Sequence, residues 1–225
     1  LILLAENNEG YENLTKIVSR GFVDGFYYKP RVDFETLREF SKGIIASSAC
    51  LAGEVARNIA VNRYEDAKEA ALRYRDIFGA DNFFLELQDH GLGVQKAVNQ
   101  QLIQLSQDTG IPLIATNDIH YTNPEDWEAH DLLLCLQTGK KASDEDRMRY
   151  EGGQYYLKSE DEMRALFAAV PEALENTAKI AARCEVEIRF HELKLPAYDV
   201  PEGYADAESY LRDLSEEGFR ERYPE

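Results

Sequence analysis

An α/β fold, built on a parallel sheet or barrel with helices outside, is predicted for this 225-residue chain. The first two-thirds alternates short apolar runs with amphipathic segments, the β-α-β-α rhythm of such folds. Three of the four apolar runs also end in polar or reactive side chains: Ser47, Ser48 and Cys50; Gln88, Asp89 and His90; Asn117, Asp118 and His120. Right-handed crossovers hold strand C-termini on one rim, and in such folds chemistry gathers there.

The elements follow in order. Leu1 to Ala5 reads as a strand. Glu9 to Val23 carries Tyr11, Leu14, Ile17 and Val18 at helical spacing. Asp33 caps a helix from Phe34 to Ser41, stopped by Gly43. Ile44 to Ser48 is the next strand, and Glu54 to Val61 and Glu65 to Phe78 are helices. Phe83 to Gln88 is a strand, Val94 to Asp108 a helix ended by Gly110, and Pro112 to Asn117 the fourth strand. Asn123 and Pro124 open a helix to about Gln137. From Lys140 the rhythm breaks: 141–154 reads as a loop and Tyr155 to Lys158 as a short extended piece. Ser159 and Glu162 form a capping box opening a helix to Ala169. Pro171 opens another, to about Cys184. Pro196, Pro201 and Gly203 mark a linker, and Asp206 to Arg222 a final acidic helix.

The formal net charge is −17 and 44% of residues are hydrophobic. A core is affordable, but the charge argues against a main nucleic-acid grip, which needs clustered Lys and Arg. A small site that meets one strand end through metal ions stays compatible with it. The last thirty residues hold nine Asp or Glu against three Arg, a solvated surface. Cys50, Cys135 and Cys184 are far apart and odd in number, which suggests no disulfide framework and fits a reducing cytoplasm. No apolar run approaches the roughly 20 residues that span a membrane. The chain opens without Met inside an apolar run, and is read as a fragment whose missing first strands would leave an exposed sheet edge.

Asp118 and His120 stand two residues apart where a strand ends. On a strand, such residues point to one face, and a carboxylate beside an imidazole suits a divalent metal. Cys50 is expected on the same rim. The set Cys50, Asp118 and His120 suits zinc, or a mixed site also holding manganese or iron, completed by ligands from outside the chain. Glu86 and His90 are next: a buried hydrogen-bonded Glu and a turn His on one reading, groups that orient a metal ligand or bind substrate on the other. His130, beside the stripe Leu132 to Leu136, reads as packing, and Cys135 and Cys184 read as core. Thr138-Gly139-Lys140-Lys141 lacks the upstream glycine of a phosphate loop.

Several stretches together carry a resemblance: Leu3-Leu4-Ala5-Glu6-Asn7-Asn8-Glu9-Gly10-Tyr11, Ser48-Ala49-Cys50-Leu51-Ala52-Gly53-Glu54, Phe84-Leu85-Glu86-Leu87-Gln88-Asp89-His90-Gly91, Ala115-Thr116-Asn117-Asp118-Ile119-His120-Tyr121, Ala129 to Lys140, and Tyr155-Tyr156-Leu157-Lys158-Ser159. In this order the chain resembles the PHP (polymerase and histidinol phosphatase) domain of the bacterial DNA polymerase III alpha-subunit family, the C-family replicative polymerases. The resemblance implies a distorted, TIM-like (β/α) barrel, here incomplete, over residues 1–190. It implies a linker and the start of the polymerase palm over 191–225. Cys50, Asp118 and His120 fall on family metal-ligand positions, so Asp118 would bind or bridge metals and His120 would complete their shell.

The expected function is therefore part of a DNA-directed DNA polymerase, with a partial metal site for 3′→5′ exonuclease proofreading or its structural remnant. The polymerase site itself, using magnesium, would lie outside this chain. Primer-template DNA and other replicase subunits, such as a sliding clamp, a proofreading subunit or a clamp loader, are the expected partners, with no membrane. The alternatives are a free-standing metal-dependent phosphoesterase of histidinol-phosphatase type and a non-catalytic scaffold.

Overall fold

The computed structural model describes residues 1–193 and 195–224. Lys194 and Glu225, both in the stretch expected to be linker and palm entry, lie outside them. The chain divides into two compact units, Leu1–Glu187 and the remainder from Ile188.

The first unit is mixed α/β. Strand β1 (Ile2–Ala5) leads into helix α1 (Asn8–Val23), where the Asn7 side chain accepts from the Gly10 N–H at 3.0 Å. Helix α2 (Phe34–Glu39) is capped by Asp33 as expected, through the Thr36 N–H at 2.8 Å. Then come β2 (Ile44–Ser47), α3 (Glu54–Ala60), α4 (Tyr64–Phe78), β3 (Phe83–Leu87), α5 (Gly93–Thr109) and β4 (Leu113–Ala115). Helices α6 (Trp127–Thr138), α7 (Glu160–Leu166) and α8 (Pro171–Arg183) complete the unit. The Ser159–Glu162 capping box forms as expected.

The sheet order is β1-β2-β3-β4, with β2, β3 and β4 parallel. β1 departs from the parallel expectation: it runs antiparallel to β2, pairing Ile2 with Ser47 and Ala5 with Ile44. The reason lies at Gly10 and Gly43. The Glu6 N–H donates to the Gly43 carbonyl at 2.9 Å, and a Cβ on Gly10 would sit 1.8 Å from that same oxygen. The start of α1 is thereby held against the entry to β2, so the end of β1 lies beside the beginning of β2. Among the described residues the sheet is open, with β1 and β4 at its edges, and the expected barrel is not closed.

Alternation along the strands separates two faces. Ile44, Ala46, Phe83, Leu85, Leu87, Leu113 and Ala115 face the main core with helices α1 to α5. Ile45, Phe84 and Ile114 face the other side, where Ile180 of α8 packs on them and Cys184 joins them. Further along that second face the strands present Ser47, Glu86 and Thr116. Helix α8 also covers the β4 edge: Asn176 donates to the Leu113 carbonyl and the Thr177 hydroxyl to the Ala115 carbonyl, both at 2.9 Å. Of the two edges, β4 is therefore blunted, whereas β1 leaves Ile2 and Leu4 exposed.

The second unit carries helix α9 (Ala207–Arg222), capped by Asp206, whose carboxylate accepts from the Ser209 N–H at 2.8 Å. Tyr198 and Tyr204 pack on Tyr210. No residue of α9 is buried, in keeping with an acidic, solvated surface.

Candidate functional site

The rim at the C-terminal ends of β2, β3 and β4 rests on a buried polar layer. Glu86, 6% exposed, lies between its neighbouring strands. Its carboxylate accepts from the Ser47 hydroxyl of β2, from the Thr116 hydroxyl beyond β4 at 2.6 Å, and from the Gln88 amide at 3.0 Å. Its own N–H donates to the Ser48 hydroxyl at 2.9 Å. Three internal donors occupy this carboxylate, so its visible work is to tie three strands together below the rim.

Cys50 lies beyond β2, half-buried and with a free thiol. The chain reaches it through Ala49 at φ +62°. The Gly53 N–H then donates to the Cys50 carbonyl at 2.8 Å. A Cβ on Gly53 would lie 2.1 Å from the Ser48 carbonyl oxygen, so only glycine lets the loop close this tightly before α3.

Asp118 and His120 do not meet by strand alternation. β4 stops at Ala115, and Asp118 takes the left-handed conformation at φ +47°, which Asp tolerates better than most residues. His120 turns back, and its Nδ1–H donates to the Asp118 carbonyl at 2.9 Å. That bond leaves the Nε2 lone pair free, the arrangement usual for a metal-binding imidazole. Asp118 is half-buried and His120 exposed.

The turn is held from across by the extended Tyr155 stretch. The His120 N–H donates to the Tyr155 carbonyl at 2.8 Å, the Asn117 amide to the Tyr156 carbonyl at 3.0 Å, and the Leu157 N–H to the Thr122 carbonyl at 3.2 Å. The Tyr155 ring, 7% exposed, stacks on His90 at 3.9 Å and meets His120 edge-on at 5.2 Å. Burial, and then the negative ends of Tyr150, Asp118, Tyr121 and Cys50, push its phenol above the usual range. The hydroxyl thus stays protonated, and it sits within electrostatic reach of both Asp118 and Cys50. Tyr155 thus bridges His90 and His120 at the rim.

His90 is 1% exposed and both ring nitrogens are engaged. Nε2–H donates to the Asn117 carbonyl at 2.9 Å and Nδ1 accepts from the Gln95 amide at 2.8 Å. It therefore fixes the residue just before Asp118 and has no lone pair left to offer. Burial holds its imidazole below the ordinary value. Lys158 is also buried; its ammonium donates to the Gln154 carbonyl and reaches Asn117 Oδ1 at 3.4 Å. His130 packs at the rim, against Tyr121, His120 and Tyr150, while Leu132, Leu133 and Leu136 beside it are exposed. Cys135 is buried, as expected.

The donor chemistry of Cys50, Asp118 and His120 suits a metal, but the set is incomplete. Among the described residues, no three His, Cys, Asp or Glu side chains are grouped so as to hold one ion. Sequence reasoning missed Tyr155, Gln95, Asn117 and Lys158 as organisers of this rim. The Tyr155-Tyr156-Leu157-Lys158 run was visible as an extended piece, with nothing in it to name its partner.

Comparison with known proteins follows the same line. The PHP domain family model matches residues 1–90, which include Cys50, Glu86 and His90 and stop short of Asp118. DNA polymerase III subunit alpha of Borreliella burgdorferi is 46% identical over 224 residues, 99% of this chain and 19% of that protein. The same subunit of Treponema pallidum is 44% identical over 223 residues, 99% of this chain and 19% of that protein. That of Deinococcus radiodurans is 44% identical over 230 residues, the whole of this chain and 17% of that protein. The chain thus spans about a fifth of the length of the curated relatives it matches. Along nearly its whole length the chain is similar to part of these DNA polymerase III alpha subunits, and its first 90 residues match the PHP domain.

Proposed function

We propose that this chain is part of a replicative DNA-directed DNA polymerase alpha subunit, and that its rim forms part of a metal-dependent 3′→5′ exonuclease site for proofreading. The observation that carries the reading is the position of Cys50, Asp118 and His120 just beyond the C-terminal ends of parallel strands β2 and β4, on a rim braced by Tyr155 and His90.

In this reading residues 1–190 are a PHP domain, and 191–225 are the linker and the start of the palm. Further strands of the parent protein extend the sheet at β1 towards a TIM-like barrel and supply the remaining ligands. Cys50, Asp118 and His120 would hold zinc, manganese or iron, His120 through the Nε2 that its bond to Asp118 leaves free. A divalent ion there would acidify a bound water and stabilise charge on the scissile phosphate. Tyr155 keeps its proton and offers a hydrogen-bond donor at the same place. His90, Gln95 and Lys158 fix the Asn117 backbone and side chain, and so the position of Asp118. The polymerase reaction, with magnesium, belongs to the parent protein outside this chain. Primer-template DNA, a sliding clamp and proofreading or clamp-loader subunits are its partners, in the cytoplasm. No helix among the described residues is long and apolar enough to cross a membrane.

A second reading, a structural remnant of such a site, draws support from the absence of a gathered metal-holding group among the described residues. Metal affinity of the full-length polymerase tests the ligand assignment. Cys50→Ser, Asp118→Asn and His120→Ala should each weaken zinc or manganese binding at least tenfold, while Glu86→Gln weakens it less. Unchanged metal binding in all three ligand variants would remove these residues from the site.

A further inference from the structure

Next to the rim lies an open groove of about 500 Å³ whose walls include Trp127, Arg147, Arg149, Tyr150 and the Gly152–Gly153 turn. Tyr150 is the shared wall between groove and rim, its ring 4.4 Å from His120 and 4.8 Å from Tyr155. Trp127, at the start of α6, is 47% exposed, although an indole is costly to leave in water.

The charges in the groove are unevenly spent. Asp131 also lines it, but Arg147 holds that carboxylate in a two-pronged bond, both contacts at 2.6 Å. Arg147 and Asp131 therefore neutralise each other. Arg149 is exposed and donates one hydrogen bond, to the Asp144 carbonyl at 2.9 Å. Among the described side chains, no carboxylate lies within ion-pair distance of it. Arg149 is thus an exposed guanidinium with no ion pair among the described side chains, beside an exposed indole and with the charge of Asp131 within electrostatic reach.

We infer that this groove binds one nucleotide of single-stranded DNA, its base stacked on Trp127 and its phosphate on Arg149, so that the strand's end is led past Tyr150 to the rim. A base face is free to stack only when unpaired, which selects a single strand over a duplex. The groove's size is in the range of small-ligand sites, and a guanidinium is the donor that best matches a phosphate. The inference rests on the exonuclease reading for its direction, towards the rim, but its binding chemistry can be measured apart from cleavage.

Trp127 is the chain's one tryptophan, so fluorescence excited selectively at the indole, where tyrosine does not absorb, reports this groove. A short oligothymidylate is titrated into the 225-residue chain in EDTA, which removes cleavage and metal-bridged binding. Saturable quenching is expected, with Arg149→Gln weakening binding about tenfold and lowering the salt slope by about 0.7, the loss of one phosphate contact. Arg149→Lys, which keeps the charge, should retain most of the affinity. Quenching unaffected by Arg149→Gln, equal quenching by a duplex of the same sequence, or no quenching at all would each overturn the assignment. Quenching that persists in a polymerase without primer shortening would sink the exonuclease reading and leave the groove standing. Shortening without quenching would do the reverse.

Discussion

Replacing Tyr155 by alanine removes a ring that is 7% exposed and that joins the two sides of the rim. Deleting a buried aromatic side chain costs about 3–5 kcal/mol through lost transfer free energy and the cavity left behind. The stack on His90 at 3.9 Å and the edge contacts to His120 and Tyr150 add about 0.5–1.5 kcal/mol for each good pair. These contributions overlap, so about 4 kcal/mol is the working figure. For a chain of this size that corresponds to a fall of roughly 8–16 °C in Tm. Tyr155→Phe keeps the ring and the backbone bonds from His120 and Tyr121 to the residue 155 carbonyl, and should change stability by less than about 1 kcal/mol. Thermal and urea unfolding followed by circular dichroism measure both variants. A loss below about 1 kcal/mol for Tyr155→Ala, or equal losses for the two variants, would refute the view that the ring organises the rim.

Two further outcomes follow from the packing and the charges. Gly10→Ala should destabilise the chain by about 2–4 kcal/mol in urea unfolding, because its Cβ would meet backbone 1.8 Å away that has no flexible end to yield. Stability should also fall with acidity. Burial holds His90 below its ordinary value, so the unfolded chain takes up a proton first as pH drops below about 6.5. The stability present above that pH is then lost as pH falls through the folded-state value, with a slope approaching about 1.4 kcal/mol per pH unit. His90→Gln should flatten this acid limb in unfolding measured across pH.

Much of the rim was legible because strand ends are marked by local chemistry. Apolar runs that break into Ser47-Ser48-Ala49-Cys50 or Asn117-Asp118 announce where each parallel strand stops, and the alternation of Ile44, Ala46, Phe83 and Leu85 fixed the main core. What was not legible depends on contacts between distant segments. The reversed direction of β1 is set by Gly10 against Gly43, two glycines that read locally as an ordinary helix position and a helix stop. The Asp118–His120 pair was found for a partly mistaken reason: the strand parity that suggested it ends at Ala115, and a left-handed Asp118 with a bond from His120 replaces it. Tyr155 escaped notice because a long polar loop separates it in sequence from the turn it holds. His130 reads in the sequence as packing beside leucines; Leu134 is buried, but Leu132, Leu133 and Leu136 are exposed and the partners of His130 are the rings of the rim.

Primer shortening by the full-length polymerase tests the central claim most directly. A primer with a mismatched 3′ end is incubated with manganese or zinc and no nucleotides, using wild type and Asp118→Asn side by side, with primer extension as the control. The account predicts shortening from the 3′ end by wild type, its loss by more than a hundredfold in Asp118→Asn, and extension that is unchanged. Equal shortening by both proteins, or none by a wild type that still extends the primer, would contradict it.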